Sequence, residues 1–197
     1  MSGVNILDSL TGRQARVTQN FQVRVQSESQ PLQHYLSAFE ESAYQSLGTA
    51  TPTNGTTSVL HLTNTSSTLS MVFTFIRLQA IGLTGGTAVP NAANYWRLAF
   101  GRTWASGGTL ATAVNMNRGS GKAAPATIYT GGPTLTGTAL EFDRFYPTDQ
   151  SQNSFSKEGA LILGPATSME ISFVGDNTGG TLYARASHQF RDLRGVI

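Results

Sequence analysis

Ser168-Met169-Glu170-Ile171-Ser172-Phe173-Val174-Gly175-Asp176-Asn177-Thr178-Gly179-Gly180-Thr181-Leu182-Tyr183-Ala184-Arg185-Ala186-Ser187-His188-Gln189-Phe190 is the stretch on which the fold turns. Met169, Ile171 and Phe173 alternate with Glu170 and Ser172, while Leu182, Ala184, Ala186, His188 and Phe190 alternate with Tyr183, Arg185, Ser187 and Gln189. A period of two puts one set on a buried face and the other on a wet one, so both segments are strands. Between them, Gly175 to Gly180 is built from residues that tolerate positive φ, and the two strands are expected to pair as a hairpin.

The same rhythm recurs through the chain. Ala15 to Val25 alternates about a Gln19-Asn20 turn; Val59 to Thr63 and Leu69 to Leu78 predict a second pair joined by Asn64-Thr65-Ser66-Ser67. The Leu69–Leu78 strand is apolar on both faces and is expected at the centre of its sheet. Trp96, Leu98 and Phe100 alternate, and Thr109 to Val114, Ala126 to Thr130 and Ala139 to Phe145 give three weaker strands. Gly-Gly-Thr recurs at Gly85, Gly107 and Gly179 at unequal intervals, which marks reused turns rather than a repeat. About eight to ten strands predict an all-β, jelly-roll-like two-sheet β-sandwich. One short helix is expected, because Leu32, Tyr35, Leu36, Phe39, Ala43 and Leu47 fall on helical spacing, with Pro31 in the first turn and Gly48 at the end. Such a helix would cover a sheet edge or pack between subunits.

A chain of 197 residues suits one domain, here residues 13–197 behind an N-terminal arm over 1–12. In that arm Val4, Ile6, Leu7 and Leu10 are too apolar for a free tail, yet Gly3, Asn5, Asp8 and Gly12 are poor material for a regular element. Charged residues make up 12% and hydrophobic ones 39%, enough for a core. The longest apolar run, Met71 to Ile81, is broken by Thr74, Arg77 and Gln79, so no membrane association is expected. The net charge of +2 is spread along the chain, which argues against a basic nucleic-acid face. There is no cysteine for disulfides or thiolate chemistry. Met1 to Asn5 does not read as a secretory signal, so synthesis in a cytoplasm is expected.

Motifs for chemistry are thin. His34, His61 and His188 lie on three different predicted elements without metal-ligand spacing, and no metal or cofactor is expected. Arg118-Gly119-Ser120-Gly121-Lys122-Ala123 resembles a phosphate loop faintly, but Met116 stands where the first Gly belongs and Ala123 where the Ser/Thr should be. Glu141 and Asp143, two apart on a predicted strand, could do glycosidic acid-base work or bind calcium; a solvated face paired with Arg144 and Arg102 is the stronger reading. Tyr95, Trp96, Phe142, Phe145 and Tyr146 read mostly as core. Trp104, flanked by Arg102, Ser106 and Gly107, is the candidate exposed aromatic for a ligand or an interface. No enzymatic activity is expected.

Three segments resemble small structural proteins of tailed-bacteriophage virions. Leu7-Asp8-Ser9-Leu10-Thr11-Gly12-Arg13-Gln14-Ala15-Arg16-Val17 is similar to the Asp-Gly-x-Thr-Gly-x-x-Ala-x-Val opening of phage head and tail accessory proteins, with Ser9 and Leu10 departing from the usual Gly-Val or Gly-Ile. Val59-Leu60-His61-Leu62-Thr63-Asn64-Thr65-Ser66 precedes a long apolar strand. Gly159-Ala160-Leu161-Ile162-Leu163-Gly164-Pro165-Ala166-Thr167-Ser168-Met169-Glu170-Ile171 is like the Leu-Gly-Pro-Gly-x-Ser-Leu corner before a closing hairpin. The resemblance implies a jelly-roll-like domain displayed on a capsid or tail, often as a trimer.

The expected function is that of a virion structural protein, specifically a capsid decoration or cement subunit. Its expected partners are the major capsid protein or neighbouring virion proteins. A homotrimer is expected because the apolar face through Leu36 and Phe39 needs a cover. Val4, Ile6, Leu7, Leu10, Leu36 and Phe39 are the candidate capsid or subunit contacts. The alternative is a carbohydrate- or receptor-binding module on the virion surface or tail.

Overall fold

In the computed structural model the described residues are 43–149 and 152–191, together with the short strands β1 (Ile6–Leu7) and β2 (Gln14–Ala15). Met1–Glu41 forms one compact unit and Ser42–Ile197 another. In the first unit, β1 and β2 pair antiparallel, with Ile6 opposite Ala15 and Leu7 opposite Gln14. Val4, Leu10, Leu36, Phe39 and His34 lie outside the described residues, as does the expected hairpin beyond Ala15.

The second unit is all-β and holds two large antiparallel sheets. Its strands are β3 (Tyr44–Ala50), β4 (Gly55–Asn64), β5 (Ser70–Thr84), β6 (Tyr95–Phe100), β7 (Thr103–Ser106), β8 (Thr109–Ala111), β9 (Val114–Asn115), β10 (Ala126–Thr130), β11 (Thr134–Thr136), β12 (Leu140–Phe145), β13 (Gln152–Leu163), β14 (Ser168–Gly175) and β15 (Gly179–Arg191). The six-stranded sheet runs β12-β6-β14-β4-β10-β8 and the five-stranded sheet β13-β5-β15-β3-β9. The β7 and β11 strands form a separate ribbon. The eight long strands are nested in pairing: β3 with β15, β4 with β14, β5 with β13, and β6 with β12.

One core lies between the sheets. Leu60, Leu62, Trp96, Leu98, Met169, Ile171 and Phe173 of the six-stranded sheet join Phe73, Ile76, Leu78, Leu182, Ala184 and Phe190 of the five-stranded sheet in a single buried cluster. Each large apolar side chain buried this way contributes roughly 1.5–3 kcal/mol. Trp96 and Phe173 meet edge-on, 5.6 Å between ring centres at 77°. As expected from its two apolar faces, β5 sits inside its sheet, between β13 and β15.

The two hairpins expected within the described residues do not form. β14 lies in one sheet and β15 in the other, and β4 and β5 are likewise split. The strands alternate as expected, but a half-buried strand followed by a glycine-rich turn can equally arch across to the facing sheet and share the core from the other side. At that arch Gly180 takes φ +105°, and a Cβ there would meet the carbonyl oxygens of Gly82 and Ile81.

The expected helix is also corrected where it can be seen. Its C-terminal part, Tyr44–Ala50, is a strand, and no helix occurs among the described residues. Tyr44, Ser46 and Gly48 are buried while Leu47 and Thr49 are exposed, a period of two. Pairing along β15, from Tyr44 opposite His188 to Ala50 opposite Leu182, overrides the local helical spacing. Gly48 belongs to that contact, since a Cβ would strike the Val59 carbonyl and come within 2.9 Å of Leu60 Cβ.

Candidate functional site

The polar positions of β14 point away from the core. Alternation sends Met169, Ile171 and Phe173 inward, and therefore turns Ser168, Glu170 and Ser172 onto the outer face of the six-stranded sheet. Glu170 stands between Ala99 of β6 and His61 of β4. Although outward-facing, it is 1% exposed. A carboxylate so buried needs partners, and it has two. Arg97 Nη2 lies 2.6 Å from Oε1 and Arg102 Nη1 lies 3.2 Å from Oε2. Arg97 Nε also donates to Ser172 Oγ, and Ser172 Oγ to Glu170 Oε1.

Arg102 organises the rest. Its carbonyl accepts from Ser168 Oγ at 2.6 Å and from His61 Nε2 at 3.1 Å, and its Nη2 donates to the Leu135 carbonyl at 2.6 Å. Burial holds the His61 imidazole below its ordinary pKa, partly offset by that backbone hydrogen bond and by Glu170. The bond to Leu135 ties the β7–β11 ribbon to the sheet. A second tie is Trp104 of β7, which stacks flat on Tyr129 of β10, 4.5 Å between centres at 4°, while its Nε1 donates to the Gly107 carbonyl.

Beside Arg102 opens a groove of about 640 Å³ lined by residues of the β3–β4 turn, β4, the Gly131–Pro133 turn and β11. Its wall carries the hydroxyls of Thr51, Thr53, Thr56, Thr57, Ser58 and Thr134, and one charged side chain, Arg102. Thr53 and Thr57 hydroxyls bond to each other at 2.9 Å. Ser58 Oγ and Arg102 Nε are buried with no hydrogen-bond partner among the described residues. Two guanidiniums against one carboxylate leave this cluster one positive charge in excess.

The other residues singled out in the sequence take structural places. A bulge between Glu141 and Asp143 breaks their alternation, setting Glu141 opposite Ala99 and Asp143 opposite Leu98, so the two carboxylates do not share a face. Glu141 instead accepts from Arg144 Nε at 2.7 Å, a bond that lowers its pKa. Arg144 also lies 4.0 Å over the Tyr95 ring, which packs on Tyr146, while Phe142 stacks on Phe100 at 4.3 Å. Trp96 is fully buried and Trp104 is 42% exposed. The loop through Gly119 is held as turns on Asn117, whose Oδ1 accepts from Gly119 N. His188 packs among Tyr44, Phe73 and Phe190, with Nε2 3.0 Å from Ser46 Oγ; burial lowers its pKa to about 4. Among the described residues, no three His, Cys, Asp or Glu side chains gather as a metal site, and no helix is long and apolar enough to cross a membrane.

The Glu170 cluster and the groove were not legible in advance. Glu170 occupies a polar position of an alternating strand, which reads as solvated, and its partners Arg97 and Arg102 lie about seventy residues away in sequence. The only local signal was a Glu within a strand flanked by Met169 and Ile171. The Asn64 turn and the corner at residues 163–167 meet. Asn64 Nδ2 donates to the carbonyls of Leu69, Leu163 and Gly164, and Asn64 N to the carbonyl of Thr167.

No family model, no curated protein and no solved structure matches this chain.

Proposed function

We propose that the chain is a structural subunit of a tailed-bacteriophage virion: a jelly-roll capsid decoration protein that binds the assembled shell as a homotrimer. The observation that carries this reading is the nested strand pairing. A chain folded into one long antiparallel hairpin and then wrapped once gives β3-β15-β5-β13 facing β4-β14-β6-β12, with β7 to β11 as an insertion between β6 and β12. That nesting supports a jelly-roll reading, an architecture shared by viral capsid and lectin domains. The corner after β13 supports the resemblance further, because Ala166, which stands at the glycine of the family's Leu-Gly-Pro-Gly pattern, takes φ +57°.

In this reading residues 1–12, with Val4, Ile6, Leu7 and Leu10, form the capsid-contacting arm, and Leu36 and Phe39 contribute to contacts between subunits. The low charge content, 12%, suits a subunit partly covered by neighbours, since charged residues are depleted at contact cores. Stabilisation of the shell then follows from mass action, as the subunit binds the assembled state and not its separated components. The fold alone hosts many functions, so localisation is the test. Particles produced from the native genome are purified on a gradient and labelled with antibody to this chain. Regular labelling of intact particles supports the reading; chain confined to the soluble fraction overturns it.

A further inference from the structure

The groove beside Arg102 has the size of a small-molecule site, within the roughly 300–1,000 Å³ typical of such clefts. Among the described residues, two of the five N–H donors of the Arg102 guanidinium are engaged, by Glu170 and by the Leu135 carbonyl, and Nε has no acceptor. Ser58, 6% exposed, holds a hydroxyl without a partner at the same wall. Both Arg102 Nε and Ser58 Oγ are sealed from solvent, so the Arg102 donors open to a ligand are the Nη hydrogens not taken by Glu170 and the Leu135 carbonyl. The excess positive charge of the Arg97–Arg102–Glu170 cluster favours an anion. The exposed hydroxyls of Thr51, Thr56 and Thr134 can each donate and accept, which matches a ligand that is itself rich in hydroxyls.

We propose that this groove binds an acidic saccharide, its carboxylate directed to Arg102 and its hydroxyls to the threonine wall. A bare carboxylate would satisfy the arginine but leave the hydroxyl wall unused. A neutral sugar would use the wall but leave the charge uncompensated. The inference stands apart from the virion assignment, because it concerns what the folded chain binds in isolation.

The test is titration of the full-length protein, followed by NMR or calorimetry, with four probes: glucuronic acid, sialic acid, glucose and glutarate. Thr134 is exposed and lines the groove, so Thr134→Glu places a carboxylate in it, and Thr134→Gln is the uncharged control. The expected result is saturable binding of at least one acidic sugar with Kd below about 10 mM. Thr134→Glu is expected to weaken that binding by about tenfold or more through like-charge repulsion, and Thr134→Gln by less than about threefold. Thermal melts of both variants that match the parent show that the fold is retained; if Thr134→Glu unfolds, Thr56→Trp, which fills the groove from an exposed position, replaces it. Absence of saturable binding by either acidic sugar overturns the proposal. So does glucose or glutarate binding as tightly as the acidic sugars, or an equal effect of the Glu and Gln variants.

Discussion

Arg97 Nη2 and Glu170 Oε1 lie 2.6 Å apart, and the carboxylate they share with Arg102 is almost wholly removed from water. Removing one member of such a cluster is costlier than the cluster is stabilising, because the charges left behind stay buried. Glu170→Gln leaves Arg97 and Arg102 facing each other without a counter-charge. The variant is expected to lose about 3–5 kcal/mol, which for a chain of this size is a fall in Tm of roughly 6–20 °C. Chemical denaturation of parent and variant measures it; a loss below about 1 kcal/mol would mean the carboxylate is dispensable.

His188 makes stability depend on pH. Its folded pKa of about 4 lies below the ordinary value of 6.5, because burial disfavours the imidazolium. The unfolded chain therefore binds the proton more readily between those values. Stability is full above about pH 6.5 and falls as pH drops towards 4, by on the order of 3 kcal/mol for this residue. His61, also lowered by burial, acts in the same direction. His188→Gln can keep the bond to Ser46 and is expected to flatten the slope of unfolding free energy against pH in that window by up to about one proton. An unchanged slope would remove His188 from the account.

Gly48 tests the closeness of β3 to β4. The neighbours of an added Cβ are the Val59 backbone and Leu60 Cβ, which cannot swing aside. Gly48→Ala is expected to cost roughly 1–3 kcal/mol as an overpacked position. A neutral or stabilising effect, as replacing glycine in an ordinary strand would give, would contradict the packing.

Ala166 tests the corner in the opposite direction. A side chain at φ +57° carries a penalty of roughly 1–2 kcal/mol that glycine avoids, only partly offset by the greater freedom of glycine in the unfolded chain. Ala166→Gly is expected to raise stability by about 0.5–1 kcal/mol. A lower Tm would show that the methyl group is held by packing instead.

These tests also mark where the sequence was informative. Alternation identified the strand character of β4, β6, β10, β14 and β15, because a period of two is written into residues such as Met169, Ile171 and Phe173. Partnership between strands was not readable. Gly175–Gly180 looks the same whether it closes a hairpin or carries the chain to the other sheet, and the choice rests on Leu98 and Leu60 flanking Ile171 from distant parts of the chain. Tyr44–Ala50 was misread because Ala43 and Leu47 also fit a helix, and only the pairing with β15 decides. The groove was invisible for the same reason: Thr53, Ser58, Arg102 and Thr134 meet only after both sheets and the ribbon have formed.

The virion assignment is tested most directly by adding purified chain to shells assembled without it and sedimenting the mixture. The account predicts saturable co-sedimentation, bound copies in multiples of three, a higher disruption temperature for decorated shells, and loss of binding without unfolding when residues 1–12 are deleted. Folded chain that stays in the supernatant at every concentration, with shell stability unchanged, would contradict it.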